Sequence, residues 1–175
     1  MHQPLKIAFA GEMRAGKDTA VAYFLETQGG LHLKLADPLY EMQAAIQSIA
    51  GFPQEKDRAL LQYLGTEYGR NKDENVWVNH LIRRVAEHRG QNIFVSDARF
   101  NNEFDALKAA GFILIKMERR EDLRIEAGAT HTGHLSEQDV KTYRGFDDVL
   151  TNNSSTNDLH LKLVVVVAHL RNSIQ

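Results

Sequence analysis

The stretch Gly11-Glu12-Met13-Arg14-Ala15-Gly16-Lys17-Asp18-Thr19 constrains this chain more than any other. It follows a short apolar run, Lys6-Ile7-Ala8-Phe9-Ala10. It precedes Ala20, Val21, Phe24 and Leu25 at helical spacing, a pattern stopped by Gly29-Gly30. A buried strand that passes through a glycine-bearing loop into a helix is suited to cradling phosphates. The glycines let backbone N–H groups turn inward, the helix N-terminus adds partial positive charge, and the lysine reaches the β- and γ-phosphates. Gly11, Arg14, Ala15, Gly16, Lys17, Asp18 and Thr19 are therefore the expected ATP contacts. Asp18 stands where Ser or Thr normally meets Mg²⁺; it either ligates the ion, directly or through water, or caps the helix.

The remaining pattern alternates. Leu31 to Ala36 reads as a strand, and Asp37-Pro38 opens a helix with proline in its first turn. Gln54 to Arg89 is helical with a break from Gly65 to Asp73. Asn92 to Asp97 is a strand, Asn101 to Ala110 a helix, Phe112 to Met117 a strand and Asp147 to Thr151 a last short strand. Leu159 to Leu170 reads as a closing helix, although its four valines favour a strand. Such alternation predicts an α/β fold with a parallel sheet covered on both faces, and ligands at the carboxyl ends of its strands. Gly11, Asp37, Asp97 and Arg119 each fall just after a predicted strand, so one cleft could collect them.

With 175 residues, 43% hydrophobic, and no repeat or linker, a single domain over 1–175 is expected. A net charge of -2 gives no overall basic field, which argues against nucleic acid as a partner. The absence of cysteine removes disulfides, thiol catalysis and cysteine-ligated metal, and fits a reducing cytosol. No secretory signal is legible, and the most apolar run, Leu161 to Leu170, holds Lys162 and His169 and is too short to cross a bilayer. A cytoplasmic protein with small-molecule partners and no membrane association is expected, with a homodimer left open.

Two further groups carry chemistry. Asp97-Ala98-Arg99 ends the middle strand: the acid suits Mg²⁺ or one of its waters, and the arginine could grip a second phosphate. Arg119, Arg120 and Arg124, with Arg144 beyond, are either solvated charges or a lid that closes on ATP. His131 and His134 are three apart without an obvious third ligand, so a zinc site is not expected.

These motifs resemble the phage-type deoxynucleoside monophosphate kinases, a branch of the P-loop kinases that is also similar to animal phosphomevalonate kinase. The matching stretches are Gly16-Lys17-Asp18-Thr19, Ala36-Asp37-Pro38-Leu39, Leu61 to Arg70, Trp77-Val78, Ser96 to Phe100 with Asn102-Glu103, and His134-Leu135-Ser136-Glu137. They keep their order over most of the chain, with Tyr40 where the relatives often carry lysine. The resemblance implies a P-loop NTPase fold with an adenylate-kinase-like core: three αβα layers, a five-stranded parallel sheet, a helical acceptor-binding insertion over about 37–90 and a short Arg-rich lid over about 119–145. It implies ATP and Mg²⁺ as cofactors and a deoxynucleoside monophosphate as acceptor. Asp37, Gln62, Glu67, Arg70, Trp77 and Arg99 would then serve the acceptor, with Lys17, Arg99, Arg119 and Arg120 acting on the transferred group. Asp18 and Asp97 would serve the metal, and Asn152 would border the adenine. Alternatives are another small acceptor, such as phosphomevalonate or a ribonucleoside monophosphate, or a nucleotide-binding module without turnover.

Overall fold

The computed structural model describes residues 3–129 and 135–173. Five strands form one sheet: β1 (Lys6–Gly11), β2 (Leu31–His32), β3 (Ile93–Val95), β4 (Ile113–Glu118) and β5 (Asp148–Thr151), in the order β2-β3-β1-β4-β5. Every pairing is parallel, with Ala8 opposite Val95 on one side and Leu114 on the other. β1 is central, which explains its unbroken apolar run: a strand flanked by neighbours and covered on both faces has no polar side to show.

The faces divide the helices. Ile7, Phe9, Phe94, Ile115 and Met117 meet α1 (Lys17–Gln28) and α8 (Thr156–Ser173) through Ala20, Val21, Phe24, Leu159, Leu163, Val166 and Val167. Phe24 sits between Phe9 and Phe94, with ring centroids 5.8 and 5.1 Å away. Each fully buried ring of this kind contributes about 1.5–3 kcal/mol. On the other face, Ala8, Ala10, Val95 and Leu114 meet α4 (Val76–Glu87), α5 (Asn101–Ala109) and α7 (Leu135–Thr142) through Trp77, Leu81, Phe104, Leu107 and Val140. The remaining helices are α2 (Asp37–Ala50), α3 (Arg58–Gln62), a π-helical segment (Tyr63–Arg70) and α6 (Glu121–Glu126).

Two local expectations are corrected. The strand expected over Leu31 to Ala36 ends at His32, because the amides of Leu35 and Ala36 turn away to the Asp97 carboxylate, 3.0 Å from each. The break expected from Gly65 to Asp73 shrinks to 71–75. Up to Arg70 the chain continues as wider π turns that seat Trp77: its indole donates to the Gly65 carbonyl at 2.9 Å and lies against Gly69, where a Cβ would strike the ring. The closing helix expected over Leu159 to Leu170 forms as α8, its valines included. Val166 and Val167 are buried and Val164 and Val165 exposed, so tertiary packing overrides strand propensity.

Candidate functional site

The carboxyl ends of the parallel strands gather the motifs on one edge of the sheet, as the alternating pattern requires. The loop from Gly11 to Gly16 leads into α1 without a side-chain cap, and an uncapped helix N-terminus is suited to an anion. Its path depends on missing side chains. Gly16 has φ 105°, and a Cβ there would collide with Asn152. At Gly11 a Cβ would stand 2.5 Å from the Met117 carbonyl oxygen. Arg14, at φ 64°, is the one non-glycine residue with positive φ among those described. The Lys17 ammonium folds over the loop and donates to the Gly11 and Glu12 carbonyls, both at 2.8 Å. Ala15 is fully buried and Thr19 is exposed.

Asn152, expected near the adenine, is buried and donates from Nδ2 to the Ala15 carbonyl at 3.0 Å. It braces the loop from behind.

Asp18 is tied to the sheet. Its Oδ1 accepts the Ser96 hydroxyl at 2.7 Å, and Lys34 stands 3.8 Å away. Because the one Ser96 proton goes to Asp18, His32 Nε2, 2.9 Å from that hydroxyl, is the donor there. Burial, then the Lys34 charge, lowers the His32 pKa, which favours the neutral ring. Asp97, next in sequence, has its carboxyl pushed up to about 6: burial raises it, the amides of Ala36 and Leu35 pull it back, and Glu103 adds repulsion. Among the described residues no three His, Cys, Asp or Glu side chains form a metal-holding group. Asp18, hydrogen-bonded to Ser96, and Asp97, the next residue after Ser96, are the carboxylates here, with both Asp97 oxygens accepting backbone amides. Mg²⁺ is a cation that takes one or two carboxylates and completes its shell with waters and phosphate oxygens. His131 and His134 lie outside the described residues.

Asp37 Oδ2 accepts the Lys34 amide at 3.0 Å and the Arg84 guanidinium at 2.8 Å. Arg70 pairs with the buried Glu103 at 2.7 Å, lies 4.6 Å over the Phe100 ring, and leaves its Nε buried without a partner. Glu103 also accepts the Arg99 amide at 2.7 Å, so one carboxylate brings Arg70 and Arg99 together, while the Arg99 side chain remains exposed. Gln62 and Glu67 are exposed, whereas Trp77 is enclosed in the core.

The lid arginines diverge. Arg119 donates to the Arg14 carbonyl at 3.3 Å and keeps a buried, unpartnered Nε. Arg120 turns to a paired contact with Asp122. Sequence reading gave Glu12, Arg84 and Lys141 no role of their own and placed Arg124 only in the candidate lid cluster with Arg119 and Arg120. Glu12 accepts Arg124 Nη2 at 3.1 Å and Lys141 Nζ at 3.0 Å. Buried Arg124 leaves Nε and Nη1 unsatisfied, a cost of about 1–3 kcal/mol per donor unless a ligand supplies acceptors.

No family model matches the chain. "Uncharacterized protein ORF77" of Ictalurid herpesvirus 1 (strain Auburn) is 35% identical over 155 residues; the match spans 86% of this chain but only 64% of that relative's length. The "Putative deoxynucleotide monophosphate kinase" of Acanthamoeba polyphaga mimivirus is 25% identical over 189 residues, covering 92% of this chain and 95% of that one. Among solved structures, a gluconokinase from Sinorhizobium meliloti 1021 superposes with TM-score 0.62 at 16% identity, covering 99% of this chain and 97% of that one. Shikimate kinase from Aquifex aeolicus gives 0.60 at 10%, covering 97% and 99%. APS kinase from Mycobacterium tuberculosis, solved with AMPPNP and APS, gives 0.58 at 11%, covering 96% and 99%. No helix among the described residues is long and apolar enough to cross a membrane. The chain has the α/β fold of the P-loop kinases, adenylate-kinase-like in its five-stranded parallel sheet.

Proposed function

We propose that this chain transfers the γ-phosphoryl group of ATP to the phosphate of a deoxynucleoside monophosphate, giving ADP and the diphosphate. The observation that carries the reading is the Gly11–Lys17 loop, its ammonium folded over its own carbonyls, on the same sheet edge as Arg119 and the Arg70–Glu103–Arg99 cluster. The mimivirus relative's printed name supports the acceptor class.

A phosphate monoester has a second pKa near ~6 and is mostly dianionic at neutral pH, so it attacks without a general base. What the reaction needs is cations that hold two repelling anions in line, and exclusion of water. Lys17 and Arg119 would serve the ATP side. Arg99 and Arg70 would hold the acceptor phosphate, and Asp37, Gln62 and Glu67 would border the acceptor. Trp77 would shape that side from within the core. Asp18 and Asp97 would hold Mg²⁺, which, when bound, neutralises charge on the β- and γ-phosphate oxygens. Arg120 would join only by leaving Asp122.

The test is ADP production from ATP-Mg²⁺ against a panel of deoxy- and ribonucleoside monophosphates and phosphomevalonate. Turnover confined to deoxynucleotides supports the reading. Turnover only with another acceptor replaces the substrate, and ATP binding without any turnover replaces the enzyme with a nucleotide-binding module.

A further inference from the structure

Glu12 places a negative charge at the mouth of a loop meant for a polyanion. Left alone it would repel ATP. Two cations reach it, and they differ in kind: Arg124 on α6 is buried, with its side chain 4% exposed, whereas Lys141 on α7 is 59% exposed. The buried guanidinium spends one nitrogen on Glu12 Oε2 and keeps Nε and Nη1 without acceptors. Lys141 holds the other carboxylate oxygen, Oε1. α6 and the turn after it stay close to the loop: a Cβ on Gly128 would lie 3.8 Å from the Arg14 guanidinium. Beside the group opens a cavity of about 320 Å³, lined by Glu12, Arg119 and Lys141 among others.

We propose that Glu12, Arg124 and Lys141 form a net-positive clamp on the nucleotide, in which Arg124 positions the Glu12 carboxylate and Lys141 screens it. Arg124, buried beneath the loop, holds the Glu12 carboxylate in place from the protein side. Lys141 cancels the repulsion that the same carboxylate exerts on that ligand. One carboxylate against two cations leaves the group net positive, with Glu12 and Lys141 on the wall of the cavity. This inference rests on the ATP-binding part of the proposed function.

The test is a cycle of variants in the full chain, titrated calorimetrically with ATP-Mg²⁺ at low salt, each checked for folding by thermal melting. Lys141→Ala is expected to weaken ATP binding about tenfold, because it uncovers the Glu12 charge. In a Glu12→Gln background the same change is expected to cost less than twofold relative to Glu12→Gln alone. The Lys141→Ala penalty should shrink in 0.5 M salt, since an exposed charge is screened. Lys141→Gln repeats the measurement if the alanine variant is unstable. An equal penalty in both backgrounds, or none in the wild type, overturns the clamp. If wild-type protein binds ATP and transfers phosphate while Lys141→Ala behaves identically, the clamp alone fails. If wild-type protein binds no ATP, the phosphate assignment fails and the clamp with it.

Discussion

Ser96 donates its hydroxyl proton to Asp18 across 2.7 Å, joining the first turn of α1 to the end of β3. The carboxylate that replaces the customary hydroxyl after the loop lysine is thus held by a hydroxyl from the neighbouring strand. Ser96→Ala removes the hold and leaves Asp18 in place. A hydrogen bond to a charged group is worth about 1.5–3 kcal/mol. The Mg²⁺ concentration for half-maximal rate should therefore rise about tenfold; an unchanged Mg²⁺ titration would remove Asp18 from the metal site.

Lys17→Ala should reduce phosphoryl transfer by about 10²–10³-fold, the scale of losing one preorganised charge partner. The protein should stay folded, because Lys17 bridges loop carbonyls and not the core. Initial rates with circular dichroism as the folding control decide it, and full activity in the variant would end the phosphate assignment.

Arg99 and Arg70 should separate in their effects. Arg99→Ala changes an exposed side chain and should raise the acceptor KM with little loss of stability. Arg70→Ala strips the buried Glu103 of its cation, and breaking such a pair costs about 3–5 kcal/mol when fully buried; Arg70 is partly exposed, so the lower end is expected. Equal melting temperatures for the two variants would contradict this division.

Asp97 makes stability depend on pH in a definite direction. Its folded pKa of about 6 lies above the ordinary 3.8, so between these values the folded state binds more protons than the unfolded one. Unfolding free energy contributed by this group therefore falls as pH rises through that window, by up to about 3 kcal/mol. Denaturant unfolding of Asp97→Asn against wild type at pH 4 and pH 7 should show the difference moving in favour of the variant as pH rises. A difference independent of pH would mean that Asp97 titrates normally.

Gly69→Ala should destabilise the protein by about 1–3 kcal/mol, because the new methyl group meets the Trp77 ring. The melting temperature should drop by roughly 2–4 °C per kcal/mol for a chain of this size. No shift would mean that the π-helical segment yields easily.

The loop, the order of strands and helices and the strand-end acid were legible because each is written in adjacent residues. Ile7 to Ala10 is apolar throughout since β1 is the central strand, and that alone fixes much of the sheet. What escaped depends on partners distant in sequence. The shortness of β2 comes from Asp97 capturing two amides from another segment, and the π turns come from the space needed by Trp77. Glu12 looked like an ordinary loop residue because Arg124 and Lys141 approach it from two later helices. Arg120 looked equivalent to Arg119 until Asp122, two positions on, claimed it.

The hydrogen bond from Asn152 to Ala15 ties the loop to a residue 137 positions downstream in sequence. During synthesis, a nascent chain that has emerged only through β4 carries the complete loop motif but lacks its rear brace. The last strand must dock before the brace can form. Under the proposed function, nucleotide binding would report C-terminal folding, and a fragment ending before β5 would keep the signature without the clasp.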